Sequence, residues 1–170
     1  MADETNTPAG AVDPAANGRG PAVALQTVYI KDLSFEAPKG PFLSAPAQDP
    51  KISLNLSTVS NTVGQDTHEV VLTVTLEAKN ADVAVYLAEV KQAGVFLVRG
   101  FGNDETRRIL GSFAPNLLFP YIRQTVSDVV TKGGFPPFLL PHVNFDALFE
   151  RSLQEQAARK TQATPPEQAN

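Results

Sequence analysis

In this 170-residue chain the side chains able to act as acids, bases, nucleophiles or metal ligands are 2 histidines, 18 Asp and Glu, and many Ser and Thr hydroxyls. Cysteine is absent, which removes thiolate nucleophiles, thiolate metal sites and disulfides together. His68 opens a strand pattern and His142 sits in a Pro-flanked linker. Neither has a carboxylate or a second His at ligand spacing, so both read as structural or surface histidines. The run Gly100-Phe101-Gly102 resembles part of a phosphate loop but lacks the third Gly and the strand–loop–helix setting. No Ser stands in a nucleophile elbow. Carboxylates that meet only in the fold could still form an acid–base pair. The balance favours a protein that binds other polypeptides without catalysis, with no cofactor and no metal.

Two groups of residues suit binding. Asp32 and Glu36 share a strand parity, as do Leu87 and Glu89, so each pair projects from one sheet face. They form either an acidic docking patch for a basic partner, where charge sets on-rate and specificity, or an ordinary solvated face. Phe42, Leu43, Phe135, Phe138, Leu139 and Leu140 are large apolar residues in Pro-rich segments outside regular elements. They read as plugs under long loops or as the border of a groove for a client's apolar side chains.

The elements that must position these residues change period halfway. Leu25, Thr27, Tyr29, Lys31, Leu33 and Phe35 alternate with Val28, Ile30, Asp32, Ser34 and Glu36, which predicts a strand. A connection with Pro38, Pro41, Pro46 and Pro50 follows, too Pro-rich for a helix or a central strand. Strands are predicted at about 52–60, 70–76 and 83–98, with Gly94 marking a bulge or bend. Residues 103–113 predict a short helix. Leu118, Ile122, Val126 and Val130 then make a helical stripe, near whose start Pro115 and Pro120 must lie. Gly133 and Gly134 end it, and Asn144 is the expected N-cap of a last helix carrying Phe145, Leu148, Phe149 and Leu153.

Strands followed by helices define an α+β fold, a four-stranded, meander-like antiparallel sheet with helices packed on one face. Exposed sheet edges favour an oligomer. Residues 1–22 and 159–170 are polar and Pro-rich and are expected to be disordered tails around one domain at 23–158. With 42% hydrophobic residues, that domain can bury a core without a staple. A net charge of −4 and scattered Lys and Arg argue against nucleic acid as partner. No run approaches the roughly 20 apolar residues of a membrane span, and the polar N-terminus has no secretory h-region. A cytoplasmic protein is expected.

The strings YIKDLSFEAP (29–38), THEVVLTVTLEA (67–78), VYLAEVKQAGVF (85–96), APNLLFPYIRQTVSDVVTKGGFPP (114–137) and VNFDALF (143–149) occur in consistent order over about residues 23–155. Together they resemble the SecB family of bacterial protein-export chaperones. The resemblance implies a homotetramer, a dimer of dimers, in which two eight-stranded sheets sandwich long helices. It implies a chaperone that holds unfolded preproteins without ATP and delivers them to the SecA motor. Carried over by motif, Asp32, Glu36, Leu87 and Glu89 match SecA-contacting residues. Ala88, Val90 and Gln92 match residues of the tetramer interior. Ile52, Leu54 and Leu56, with Phe42, match the client groove, although their own periodicity suits core equally. The family's crossover loop carries a Trp where this chain has Gln48, so the groove lining there departs from the pattern. The tail beyond Arg159 carries little acid, and no contact is transferred to it. Two other readings stand beside this one: a SecB-like chaperone dedicated to a toxin–antitoxin pair, and a small-ligand enzyme using the sheet carboxylates.

Overall fold

A computed structural model describes residues 20–43 and 50–162. The expected N-terminal tail up to Arg19, Gln48 and the chain beyond Gln162 lie outside the described residues. The sheet contains β1 (Ala22–Glu36), β2 (Lys51–Gly64), β3 (Thr67–Asn80) and β4 (Val83–Arg99), all pairing antiparallel in the order β1-β4-β3-β2. Strands β2 to β4 form the expected meander, closed by tight turns at which Asp66 and Ala81 adopt positive φ of 57° and 52°. The first strand departs from a simple up-and-down order: β1 crosses over to pair with β4 and leaves β2 as the opposite edge. Three strand spacings of roughly 4.8 Å separate these two edges. The Pro-rich connection, with a helical turn α1 at Gly40–Leu43, makes that crossing.

Strand β1 also departs from its apparent alternation. Its register against β4 shifts between Leu25 and Thr27 and again between Ile30 and Asp32. Each shift inserts an extra residue and resets which side chains face inward. Val23, Leu25, Val28 and Phe35 pack toward the core, whereas Tyr29 turns to the opposite face and reaches Glu69. The parity read along the sequence therefore mixes two faces.

The helical half is one run. Helix α2 (Asn103–Arg108) passes through a π-helical segment, Ile109–Phe113, into α3 (Ala114–Lys132). Proline removes a donor and its ring crowds the carbonyl four residues back. The widened π turn falls just ahead of Pro115, where that carbonyl is Gly111's. Pro120 lies inside α3, further into the helix than sequence rules allow. Gly134, at φ 85°, closes α3 with Phe135 N donating to Val130 O at 3.2 Å, the six-to-one bond of a Schellman cap. Helix α4 runs Phe145–Gln162, past the expected domain end at 158. Asn144 caps it as expected, its Oδ1 accepting from Ala147 N at 3.0 Å.

The core lies between α3 and one sheet face. Leu118, Ile122, Val126 and Val130 meet Val70, Leu72, Val74, Leu76, Val90 and Phe96, all 0% exposed. Gly94 shows no register shift and so marks no bulge. A Cβ there would stand 2.7 Å from Leu118 Cδ2, so glycine is what lets α3 approach β4. Phe135 packs at a tilt against Phe35 and Tyr86, and Leu140 is buried, so these linker residues are plugs; Leu139 is exposed.

Candidate interaction surfaces

The face of the sheet turned away from α3 carries the charged residues. Register sets Asp32 opposite Lys91, Ser34 opposite Glu89 and Glu36 opposite Leu87. Asp32, Glu36, Leu87 and Glu89 are therefore brought together on one patch across β1 and β4. What the sequence did not suggest is Lys91, whose Nζ lies 2.9 Å from Asp32 Oδ2 and 3.1 Å from Glu89 Oε1. The Lys91 ammonium, by hydrogen bond and then by charge, holds the Asp32 carboxyl below the usual carboxylate range. Asp32 and then Glu89 raise Lys91 in turn. Thr75 Oγ1 donates to Glu89 Oε2 at 3.3 Å. Glu36 makes no ion pair among the described residues.

Further along the same face, Glu69 on β3 is 8% exposed and accepts hydrogen bonds from Tyr29 Oη and from Lys31 Nζ, the latter at 2.6 Å. Both donors sit on β1, two strands away, and arch over Ala93 and Val95 of β4. The small side chain of Ala93, wholly buried on a face without helices, leaves room for the Tyr29 ring. Lys31 and then Tyr29 hold Glu69 below the usual carboxylate range, and Glu69 in turn pushes the Tyr29 phenol up. This network clamps the sheet, and no sequence signal pointed to it because the bulges in β1 decide which way Tyr29 faces.

The second surface lies on the helix side. Ile52, Leu54 and Leu56 alternate on β2 opposite Ala78, Leu76 and Val74. Helix α3 covers β3 and β4 but not this edge strand, so Ile52 and Leu56 are only half-buried and Leu54 is 36% exposed. A cleft of about 480 Å³ continues the strip, with Leu56, Thr58 and Ser60 on one wall and Leu110, Gly111, Leu148, Phe149 and Leu153 on the other. Helix α4 forms that far wall because Gly111 receives the Phe149 ring; a Cβ there would stand 2.5 Å from Phe149 Cδ2. Asp146 adds a tether, accepting from Ser112 Oγ at 2.8 Å and pairing with Arg108 at 3.5 Å. The side chain of Phe42 lies outside the described residues.

Ala88, Val90 and Gln92 point to the helix side, alternate to Leu87 and Glu89, and are buried by the chain's own α3. Gln92 Nε2 donates to Tyr29 O at 2.8 Å, and Thr125 Oγ1 donates to Gln92 Oε1 at 3.4 Å. Their burial fixes how α3 sits on the sheet. The far side of that helical run exposes Phe113, Leu117 and Tyr121, spaced by four residues. His68 lies 3.3 Å from the Thr62 hydroxyl, and His142 lines a cleft of about 690 Å³ beside Phe101 and Phe113. Among the described residues no group of three or more His, Asp or Glu is placed to hold a metal, and no helix is long and apolar enough to cross a membrane.

An open sheet with a half-covered apolar edge, an exposed apolar helix stripe and a charged opposite face defines a protein that works by contact with other chains. Residues 16–156 match the family model described as preprotein translocase subunit SecB. The chain is 44% identical over 154 residues to the protein-export protein SecB of Pseudomonas fluorescens (strain SBW25), covering 91% of this chain and 93% of the relative. It is 46% identical to the protein-export protein SecB of Methylobacillus flagellatus, covering 84% and 91%. A SecB-like chaperone of Mycobacterium tuberculosis, solved with a peptide from the HigA1 antitoxin, shares the fold with a TM-score of 0.62 at 19% identity, covering 71% of this chain and 90% of that one. The chain belongs to the SecB family of protein-export chaperones.

Proposed function

We propose that this protein holds unfolded preproteins in a translocation-competent state in the cytoplasm and delivers them to SecA. The observation that carries this reading is the uncovered apolar face of β2 running into the cleft under α4, in a chain of the SecB family. Each well-buried large side chain of a client contributes roughly 1.5–3 kcal/mol before ordering costs. Burial needs no sequence code, so selection is kinetic, and a client that folds fast hides its apolar groups before capture. No energy source is required for such capture.

The reading includes a homotetramer, a dimer of dimers, and one surface supports such assembly. The apolar stripe of Phe113, Leu117 and Tyr121 suits packing against another copy, and Ala88, Val90 and Gln92 act on that assembly through α3, whose seat they define. Several grooves on one particle then engage one client, and linked weak contacts gain avidity. The patch of Asp32, Glu36, Leu87 and Glu89 docks SecA from the opposite side of the sheet, so docking does not require an empty groove. Sizing by light scattering together with capture of a slow-folding preprotein tests the core of this reading. A monomer that fails to delay refolding would overturn it. Asp32→Ala combined with Glu36→Ala is expected to weaken SecA binding by calorimetry and leave capture intact; unchanged SecA affinity would remove the patch from the mechanism.

A further inference from the structure

The acids on the charged face are not equally available. Glu69 is nearly buried and locked by Tyr29 and Lys31, so a partner cannot reach it without dismantling the sheet clamp. Glu36 has no ion pair among the described residues and is exposed. Asp32 and Glu89 lie between these extremes, since both are held by one ammonium, that of Lys91. Their side chains remain 54% and 36% exposed and that of Lys91 37%. A lysine ammonium is a compact charge on a flexible stem with no fixed fork, so it leaves such a site readily.

We propose that Lys91 is an internal stand-in for a cationic side chain of the docking partner, and that docking on this face proceeds by exchanging Lys91 for the partner's cation at Asp32 and Glu89. The inference rests on the reading of this face as the SecA docking surface. Lys91 thereby sets specificity, because a partner must offer a better-placed cation than the chain already holds. An arginine fork would do so, donating two parallel bonds to a carboxylate where Lys91 makes one contact to each. Exposed ion pairs are weak, so the exchange is readily reversible and its effect is graded.

The test uses the assembled protein and SecA, with affinity measured by calorimetry at low and moderate salt. Lys91→Gln is expected to tighten SecA binding about two- to fivefold and steepen its salt dependence. Lys91→Arg keeps the cation and is expected to weaken binding, because its fork holds the carboxylates more firmly. Lys79→Gln removes the same charge from the same face beside Glu77, 2.7 Å from Lys79 Nζ, and is expected to do less than Lys91→Gln. Equal gains from the two Gln variants would overturn local exchange in favour of general charge. Unchanged or weaker binding by Lys91→Gln, with Glu36→Ala still weakening SecA, would overturn the inference and spare the docking reading. No effect of Glu36→Ala either would mean that the docking reading itself fails. Thermal melts and light scattering of each variant establish that the assembly is intact.

Discussion

Leu54 separates groove from core. It stands on the helix-side face of edge strand β2, opposite Leu76, and is 36% exposed. Full burial of a leucine is worth roughly 1.5–3 kcal/mol. The exposed third therefore gives a client about 0.5–1 kcal/mol when it is covered, and the part already buried gives the fold about 1–2 kcal/mol. Leu54→Ala is expected to weaken capture about two- to fivefold and to lower stability by about 1–2 kcal/mol. The assay is calorimetric titration with a reduced, alkylated preprotein that cannot fold, alongside urea unfolding and light scattering. Val59 is the control, 56% exposed on the same strand but opposite Val71, on the charged face. Val59→Ala is expected to leave capture unchanged. A Leu54→Ala variant with lower stability and unaltered capture would make this residue core alone. Equal loss from Val59→Ala would refute the argument that clients lie on the helix side.

Two further substitutions test what holds these surfaces in place. Glu69→Gln removes the charge that accepts from Tyr29 and Lys31, and is expected to cost about 1–2 kcal/mol by urea unfolding at neutral pH. Because the Glu69 carboxyl is held below its unfolded value, its contribution is full above the ordinary carboxylate range and disappears as pH falls through the lowered value. The variant should therefore lose less stability than the parent on acidification, and an unchanged slope would contradict the assignment. Gly111→Ala places a Cβ 2.5 Å from Phe149 Cδ2 and is expected to unseat α4. Hydrogen exchange should then rise in residues 145–153 while β3 and β4 stay protected; unaltered protection of α4 would show that Asp146 and the linker hold it without the Phe149 contact.

The sequence by itself determined the elements whose periods are unbroken. Leu118, Ile122, Val126 and Val130 repeat at helical spacing and all reach zero exposure, because a stripe of that period has one way to face a sheet. Asn144 signalled the start of α4 through its own side chain, a contact local enough to read along the chain. Motif resemblance selected Asp32, Glu36, Leu87 and Glu89, and backbone register sets them side by side. What the tertiary structure alone decided involves residues far apart in sequence or phases that local pattern cannot carry. The bulges in β1 reversed the face of Tyr29, since adding one residue flips every later side chain. The crossing of β1 to β4 made β2 an edge, and edge position rather than composition leaves Ile52, Leu54 and Leu56 half open. Lys91 became part of the acidic patch only because β1 lies beside β4, bringing its ammonium to Asp32 across 59 residues of chain.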